Sequence, residues 1–377
     1  MIINASVLKN EECVAFRLRD LYRAHGFAQF KMSKFEEYDL YAGNKDFLVS
    51  DSVITFTDTN GKLMALKPDV TLSIVKNSKD GAGLQKVYYD ENVYRISGSS
   101  RAYREIMQTG LECIGDIDDY ALVEVLALAA ESLSRISSDY VLDISQLDIV
   151  SAVIDGLGVD AATRSALLLA AGEKNLHGIG ELCAAAGADE TQTALLRSLI
   201  ALSGTPIRVL PKLRELLANH AAFSLVERFE TIVSALSSVG YGDRVHIDFS
   251  VVHDMSYYNG IVFKGFVNGV PASVLSGGQY DRLMKKMNRK SGAVGFAVYL
   301  DLLERLVENR PAYDVHTVLL YEEGTDLGEI ARAVQSINLT HGNTVAGDSV
   351  LAVRTLPEGL RYEKLVRLGK NGLEAEK

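Results

Sequence analysis

Residues 86–115, KVYYDENVYRISGSSRAYREIMQTGLECIG, restrict the fold of this chain more than any other stretch. The first arm, 87–95, is rich in β-formers. Ile96, Ser97, Gly98, Ser99 and Ser100 carry turn chemistry. The second arm, 103–114, sets Arg104, Glu105, Gln108 and Glu112 among apolar residues. An antiparallel pair with one polar, charged face suits the floor of a ligand site better than a plain core.

The flanking pattern places this pair in an α+β fold. Apolar spacing predicts helices over 10–24, 71–77, 120–136, 281–287 and 300–308. Strands are expected at 27–32, 140–144, 245–252 and 292–297. Residues 33–51 read as a polar, aromatic loop. Asn60-Gly61 between 53–58 and 62–66 predicts a type I′ hairpin, and Asn268-Gly269 between 261–267 and 271–275 a second one. Residues 147–236 are rich in Ala and Leu, with helical periods broken at Gly156, Gly158, Gly187, Gly204 and Pro211, and read as a helical insertion. The tail, 311–377, reads as a small α/β unit after a boundary at Arg310-Pro311. Two domains are therefore expected, 1–310 and 311–377. Antiparallel signals with segregated helices exclude a doubly wound sheet.

With 377 residues, 47% of them hydrophobic, the chain can bury full cores. A net charge of −10 argues against a general nucleic-acid binder, which needs clustered Lys and Arg. Cys13, Cys113 and Cys183 share no close spacing and read as buried thiols of a reducing compartment, not as metal ligands or disulfides. No apolar run has the length of a membrane span and no signal peptide opens the chain, so a cytoplasmic location is expected.

Several residues invite a ligand reading beside a plainer one. Asp69 suits an ammonium group, or equally the N-terminus of the 71–77 helix. Arg95 at a strand end suits a carboxylate or phosphate, or is a solvated side chain. Gln108 and Glu112, four apart on a strand, share one face, which is either a binding floor or an exposed surface. Tyr257 and Tyr258 in SYYNG are expected to point to opposite faces, one packed and one presenting a hydroxyl. Ser276, Gly277 and Gly278 join a strand to a helix and admit close approach of a ligand, or make a tight connection. His253 has no His or Cys partner at metal-ligand spacing, and no GxSxG elbow is present.

Taken in order, KPDVT, VYRISGSSRAYREIMQTGLECIG, DMSYYNGIVF, SGGQYDRL and AVGFAVYLDLL resemble the histidyl-tRNA synthetase family of class II over residues 8–308. The resemblance implies a class II synthetase-like antiparallel sheet flanked by helices, with a helical insertion. It also implies a histidine site of Asp69, Thr71, Arg95, Gln108, Glu112, Tyr257 and Tyr258.

Departures from the family pattern fall on its ATP and tRNA equipment, and two of them, at His253 and Gln279, also replace cations that the resemblance places in the histidine pocket near the ligand carboxylate. His253 stands where the family carries a catalytic Arg, Ser97 where the second motif has its Glu, Leu302 where the third motif has its Arg, Ser33 for the first-motif Pro, and Gln279 for the Arg of GGRYD. Arg305 lies one helical turn past Leu302. The tail from 311 holds seven Lys and Arg against ten Asp and Glu, which disfavours a grip on tRNA. The pattern is similar to the branch of synthetase paralogues that regulate ATP phosphoribosyltransferase. That likeness implies a non-catalytic histidine sensor without cofactor or metal. It would dimerise and partner a short-form catalytic subunit in a hetero-octamer at the first step of histidine biosynthesis, with L-histidine as effector and no tRNA or membrane. A divergent histidyl-tRNA synthetase and a stand-alone amino-acid-binding paralogue are the alternatives.

Overall fold

A computed structural model of the chain describes residues 9–44, 48, 53–81, 83–96, 102–252, 257–305, 313–340, 349–369 and 372–376. The chain opens with α1 (Asn10–Ala24), β1 (Ala28–Gln29), β2 (Phe35–Glu37), α2 (Asp39–Ala42), β3 (Thr55–Thr57), β4 (Leu63–Leu66) and α3 (Thr71–Asn77). The long pair β5 (Gln85–Ile96) and β6 (Tyr103–Gly115) follows, then α4 (Asp119–Ile136) and β7 (Tyr140–Gln146). A helical run comes next: α5 (Leu147–Asp155), α6 (Ala161–Gly172), α7 (Leu176–Ala185), α8 (Glu190–Ala201), the short β8 (Ser203–Gly204), α9 (Pro206–Leu216) and α10 (Phe223–Leu236). The chain then returns through β9 (Val245–Asp248), β10 (Asn259–Val267), β11 (Leu275–Gln279), α11 (Asp281–Lys286) and β12 (Gly292–Tyr299) to a 3-10 stretch, Leu300–Arg305.

Contacts gather residues 14–305 into one unit. Its sheet has nine strands in the order β1-β5-β6-β12-β11-β10-β7-β9-β8. Every pair from β5 to β7 is antiparallel, while β1–β5 and β7–β9 are parallel. The expected α+β class with an antiparallel sheet is therefore present, with parallel pairs toward its margins. Along β6 the odd residues Leu111 and Cys113 are buried on the face where Tyr22 of α1 meets Tyr88 and Phe296. The even residues Gln108, Gly110 and Glu112 turn to the other face, where the cavity described below lies. Helix α4 rests on β7, β10 and β12. Asp118 Oδ1 accepts from Ala121 N at 2.8 Å to start it, and Leu122, Val125, Leu126, Ala129 and Leu133 form its buried stripe. A separate three-stranded sheet runs β2-β4-β3.

The second unit groups residues up to 13 with residues 306–377. It holds β13 (Val315–Tyr321), α12 (Leu327–Thr340), β14 (Val350–Val353), β15 (Tyr362–Gly369) and β16 (Gly372–Glu376), with the sheet in the order β14-β13-β15-β16. Ala333 and Ile337 of α12 pack on Leu319. No helix among the described residues is long and apolar enough to cross a membrane.

Several local expectations are corrected. The loop at 33–51 contains β2 and α2, because Phe35 and Glu37 pair with Leu66 and Met64 of β4. The strands expected at 27–32 and 245–252 shorten to Ala28–Gln29 and Val245–Asp248. The first hairpin does not use a type I′ turn. Asp58 N donates to Lys62 O, and only Gly61 (φ 81°) is left-handed, so the loop has three residues; Asp58 Oδ1 also caps Asn60 N and Lys62 N at 2.8 Å. Pro211 lies inside α9 without breaking it. The carbonyl it leaves unpaired belongs to Ile207, which is 84% exposed and open to water. In the second hairpin, 271–274 is not strand and β11 instead runs through Gly277 and Gly278. Glycine is needed there: a Cβ at Gly277 would lie 2.4 Å from Gly295 O. The turn 97–100, His253 and the boundary at 310–311 lie outside the described residues.

Candidate functional site

One cavity on the even-numbered face of β6 is lined by all seven residues singled out in the sequence: Asp69, Thr71, Arg95, Gln108, Glu112, Tyr257 and Tyr258. Strand register explains the convergence. Glu112 stands opposite Gly295 of β12, and Gln108 opposite Tyr299. Side chains directly opposed on antiparallel strands share a face.

Glu112 is a buried acidic group, 2% exposed. Thr71 Oγ1 donates to one carboxylate oxygen at 2.7 Å, and the Tyr280 hydroxyl donates to the other at 2.6 Å. Burial dominates these bonds and pushes its pKa up to about 8. Neutral hydrogen bonds do not replace the lost hydration of a charge. Gly295 makes room for this carboxylate, since a Cβ there would lie 1.8 Å from Glu112 Oε2.

Asp69 serves both readings offered for it. Its Oδ1 accepts from Leu72 N at 2.8 Å in the first turn of α3, and the residue also lines the cavity. Burial raises its pKa, against the backbone bond to Leu72 and the nearby Arg95 charge, which lower it. Arg95 Nε donates to Pro68 O at 2.9 Å, which anchors the guanidinium beside Asp69. Gln108, 3% exposed, lines the cavity, and no described residue hydrogen-bonds its side-chain amide.

The two tyrosines do not diverge as expected. Both line the cavity, with ring centroids 4.5 Å apart in an edge-on contact. They precede β10 in non-strand backbone, so strand alternation does not apply to them. The Tyr257 ring also lies 5.8 Å from Tyr280. Burial raises the Tyr257, Tyr280 and Tyr89 hydroxyls well above their ordinary range, so they act as neutral hydrogen-bonding groups.

Ser276, from the stretch read as admitting a ligand, lines the cavity too, as do Tyr89, Tyr280 and Tyr299, which were not singled out. Alternation in β5 carried the signal for Tyr89, because it shares a face with Arg95. Tyr280 sits at a strand–helix junction, where sequence gives no direction. Gln279 is a correction in the opposite sense. It does not line this cavity; its Oε1 accepts from Ile261 N at 2.9 Å. A bulge between β10 and β11 leaves that amide needing an acceptor. Leu302 lies in the 3-10 stretch. Among the described residues no three His, Cys, Asp or Glu side chains gather to hold a metal ion.

Residues 4–303 match the family model described as histidyl-tRNA synthetase. A protein of Alkaliphilus metalliredigens named ATP phosphoribosyltransferase regulatory subunit is 26% identical over 295 residues, covering 77% of this chain and 74% of that protein. A Bacillus halodurans crystal structure, described as an ATP phosphoribosyltransferase regulatory subunit/histidyl-tRNA synthetase, superposes with a TM-score of 0.75 at 21% identity, covering 95% of this chain and 93% of the other. The ATP phosphoribosyl transferase (HisG:HisZ) complex from Thermotoga maritima contains a chain that superposes with a TM-score of 0.61 at 20% identity, covering 77% of this chain and 97% of that one. The architecture is therefore the class II synthetase-like one.

Proposed function

The chain belongs to the histidyl-tRNA synthetase family, and we propose that within it this protein is a non-catalytic regulatory subunit of ATP phosphoribosyltransferase. In this reading it joins a short-form catalytic subunit, a glycosyltransferase, in a cytoplasmic hetero-octamer, dimerises with itself and binds no tRNA. L-Histidine, the end product of the pathway, is its effector. The synthetase-like body corresponds to 1–310 and the small α/β domain to 311–377.

The observation that carries the proposal is the unequal condition of the two halves of a synthetase site. The residues expected of the amino-acid half come together: Asp69, Thr71, Arg95, Gln108, Glu112, Tyr257 and Tyr258 line one cavity. Asp69 suits the α-ammonium, Arg95 the α-carboxylate and Glu112 the imidazole N–H. On the ATP half, Leu302 offers no charge, and Gln279 spends its amide oxygen on the backbone of Ile261. Adenylation builds negative charge on the oxygens of the pentavalent phosphate, and losing one stabilising donor costs on the order of 3 kcal/mol. A site built in this way holds an amino acid without activating it.

The test is co-purification with a short-form catalytic subunit, followed by phosphoribosyl transfer assays with and without histidine. Transfer should require this chain and fall with histidine, and Glu112→Ala should relieve the inhibition while the complex stays intact. Histidine-dependent ATP–pyrophosphate exchange by the chain alone would overturn the reading in favour of a divergent synthetase.

A further inference from the structure

Lys67 is a fully buried lysine that the site as described does not use. Its exposure is 0%, and its ammonium pairs with Glu91, whose side chain is 17% exposed. Burying a charge this deeply is costly unless it is matched, and removing one partner strands the other. The backbone around Lys67 is tied down as well. Tyr94 N donates to Lys67 O at 2.9 Å and Lys67 N to Lys34 O at 3.2 Å.

The place of Glu91 gives the pair its meaning. Glu91 of β5 stands directly opposite Gln108 of β6, so the two side chains leave the sheet on the same face, within about 5 Å at Cβ. Gln108 is 3% exposed, and its amide has no hydrogen-bond partner among the described residues. A carboxylate beside an unpartnered amide is its natural acceptor. Here one oxygen of that carboxylate is turned to Lys67 and the other accepts from Met32 N at 3.4 Å.

We propose that Lys67 is a positioning residue: by holding Glu91, it keeps the Gln108 amide available to the ligand in the cavity. The inference rests on the reading of that cavity as an amino-acid site. Lys67 does not line the cavity and acts through Glu91. When its charge is removed, Glu91 takes the Gln108 amide and withdraws it from the ligand.

The experiment is isothermal titration of L-histidine into the full chain and three variants, with thermal denaturation of each. Lys67→Met should weaken histidine binding by about tenfold to a hundredfold, the loss expected for a hydrogen bond to a charged ligand. Lys67→Arg, which keeps the charge that holds Glu91, and the double variant Lys67→Met/Glu91→Leu, which removes the competing acceptor together with the lysine, should bind within about threefold of wild type. Should Lys67→Met fail to fold, the double variant, with no stranded charge, carries the test. A double variant as weak as Lys67→Met, or too weak to measure, shows a merely structural lysine and overturns the inference. If the wild type itself fails to bind histidine, the amino-acid reading falls first and this inference with it.

Discussion

Replacing Glu112 with glutamine isolates the energetic cost of holding a carboxyl group in the cavity. Its pKa rises from 4.5 to about 8 on folding, through burial. A raised carboxyl pKa means that the folded state binds the proton more tightly than the unfolded state. The contribution to stability is therefore complete below pH 4.5 and is lost as pH rises to 8. At about 1.36 kcal/mol per unit, the wild type loses roughly 5 kcal/mol through this group across that window. Glutamine does not titrate. It keeps an oxygen for one of the Thr71 and Tyr280 hydroxyls and offers N–H to the other. Relative to wild type, Glu112→Gln should gain stability at roughly 1.4 kcal/mol per pH unit between 4.5 and 8 and then level off. For a unit of this size that is a widening of roughly 8 to 10 °C in Tm. Differential scanning calorimetry of both proteins without ligand, from pH 5 to 9, reads it directly, because titrating groups remote from Glu112 cancel in the difference. A Tm difference that stays constant with pH refutes the reasoning.

Histidine affinity should follow a bell in pH. Between the imidazole pKa of about 6.5 and the Glu112 value of about 8 the free partners together carry the single proton that the imidazole–carboxyl pair shares, so binding exchanges none. Affinity should fall about tenfold per unit outside that window, and Glu112→Gln should remove the alkaline limb; calorimetry in buffers of different ionisation enthalpy checks both. Gly295→Ala puts a Cβ 1.8 Å from Glu112 Oε2 and 2.4 Å from Leu111 O; it should destabilise by roughly 1–3 kcal/mol and abolish histidine binding, seen by urea denaturation and titration. Gln279→Arg should not create adenylation activity and should cost roughly 1–3 kcal/mol, because Ile261 N loses its acceptor; an exchange assay and a denaturation curve settle it.

The long elements were legible because their patterns are redundant. The strand pair at 85–96 and 103–115 and the helices at 119–136 and 71–77 follow periodicity and β-propensity. Elements whose reason lies in a neighbour were hidden. Gly277 and Gly278 read as a connection because glycine disfavours strand, yet β12 leaves no room for a side chain at Gly277 and β10 none at Gly278. Strands β2 and β4 hold each other across a polar segment that has no periodicity of its own. At the site, residue type on a shared strand face brought Gln108 and Glu112 together. Tyr280 escaped notice because only packing against Tyr257 and the bond to Glu112 give it direction. Gln279 misled for the same reason: it read as part of a connection, and neither its place in β11 nor the backbone amide it serves was legible.

The parallel pairing of β7 with β9 gives the helical run between them a topological duty. Two parallel neighbours cannot be joined by a tight turn; the chain must leave one end of the sheet and return to the other, which takes a crossover of a dozen residues or more. Helix α5 departs directly from β7 and α10 leads back toward β9, so these two helices supply the path. The segment at 147–236 is thus a bridge as well as an ornament. Its α6 and α7 are free to vary in length at small entropic cost, whereas loss of the whole run would remove β8, which pairs with β9, and leave β9 without a route into the sheet.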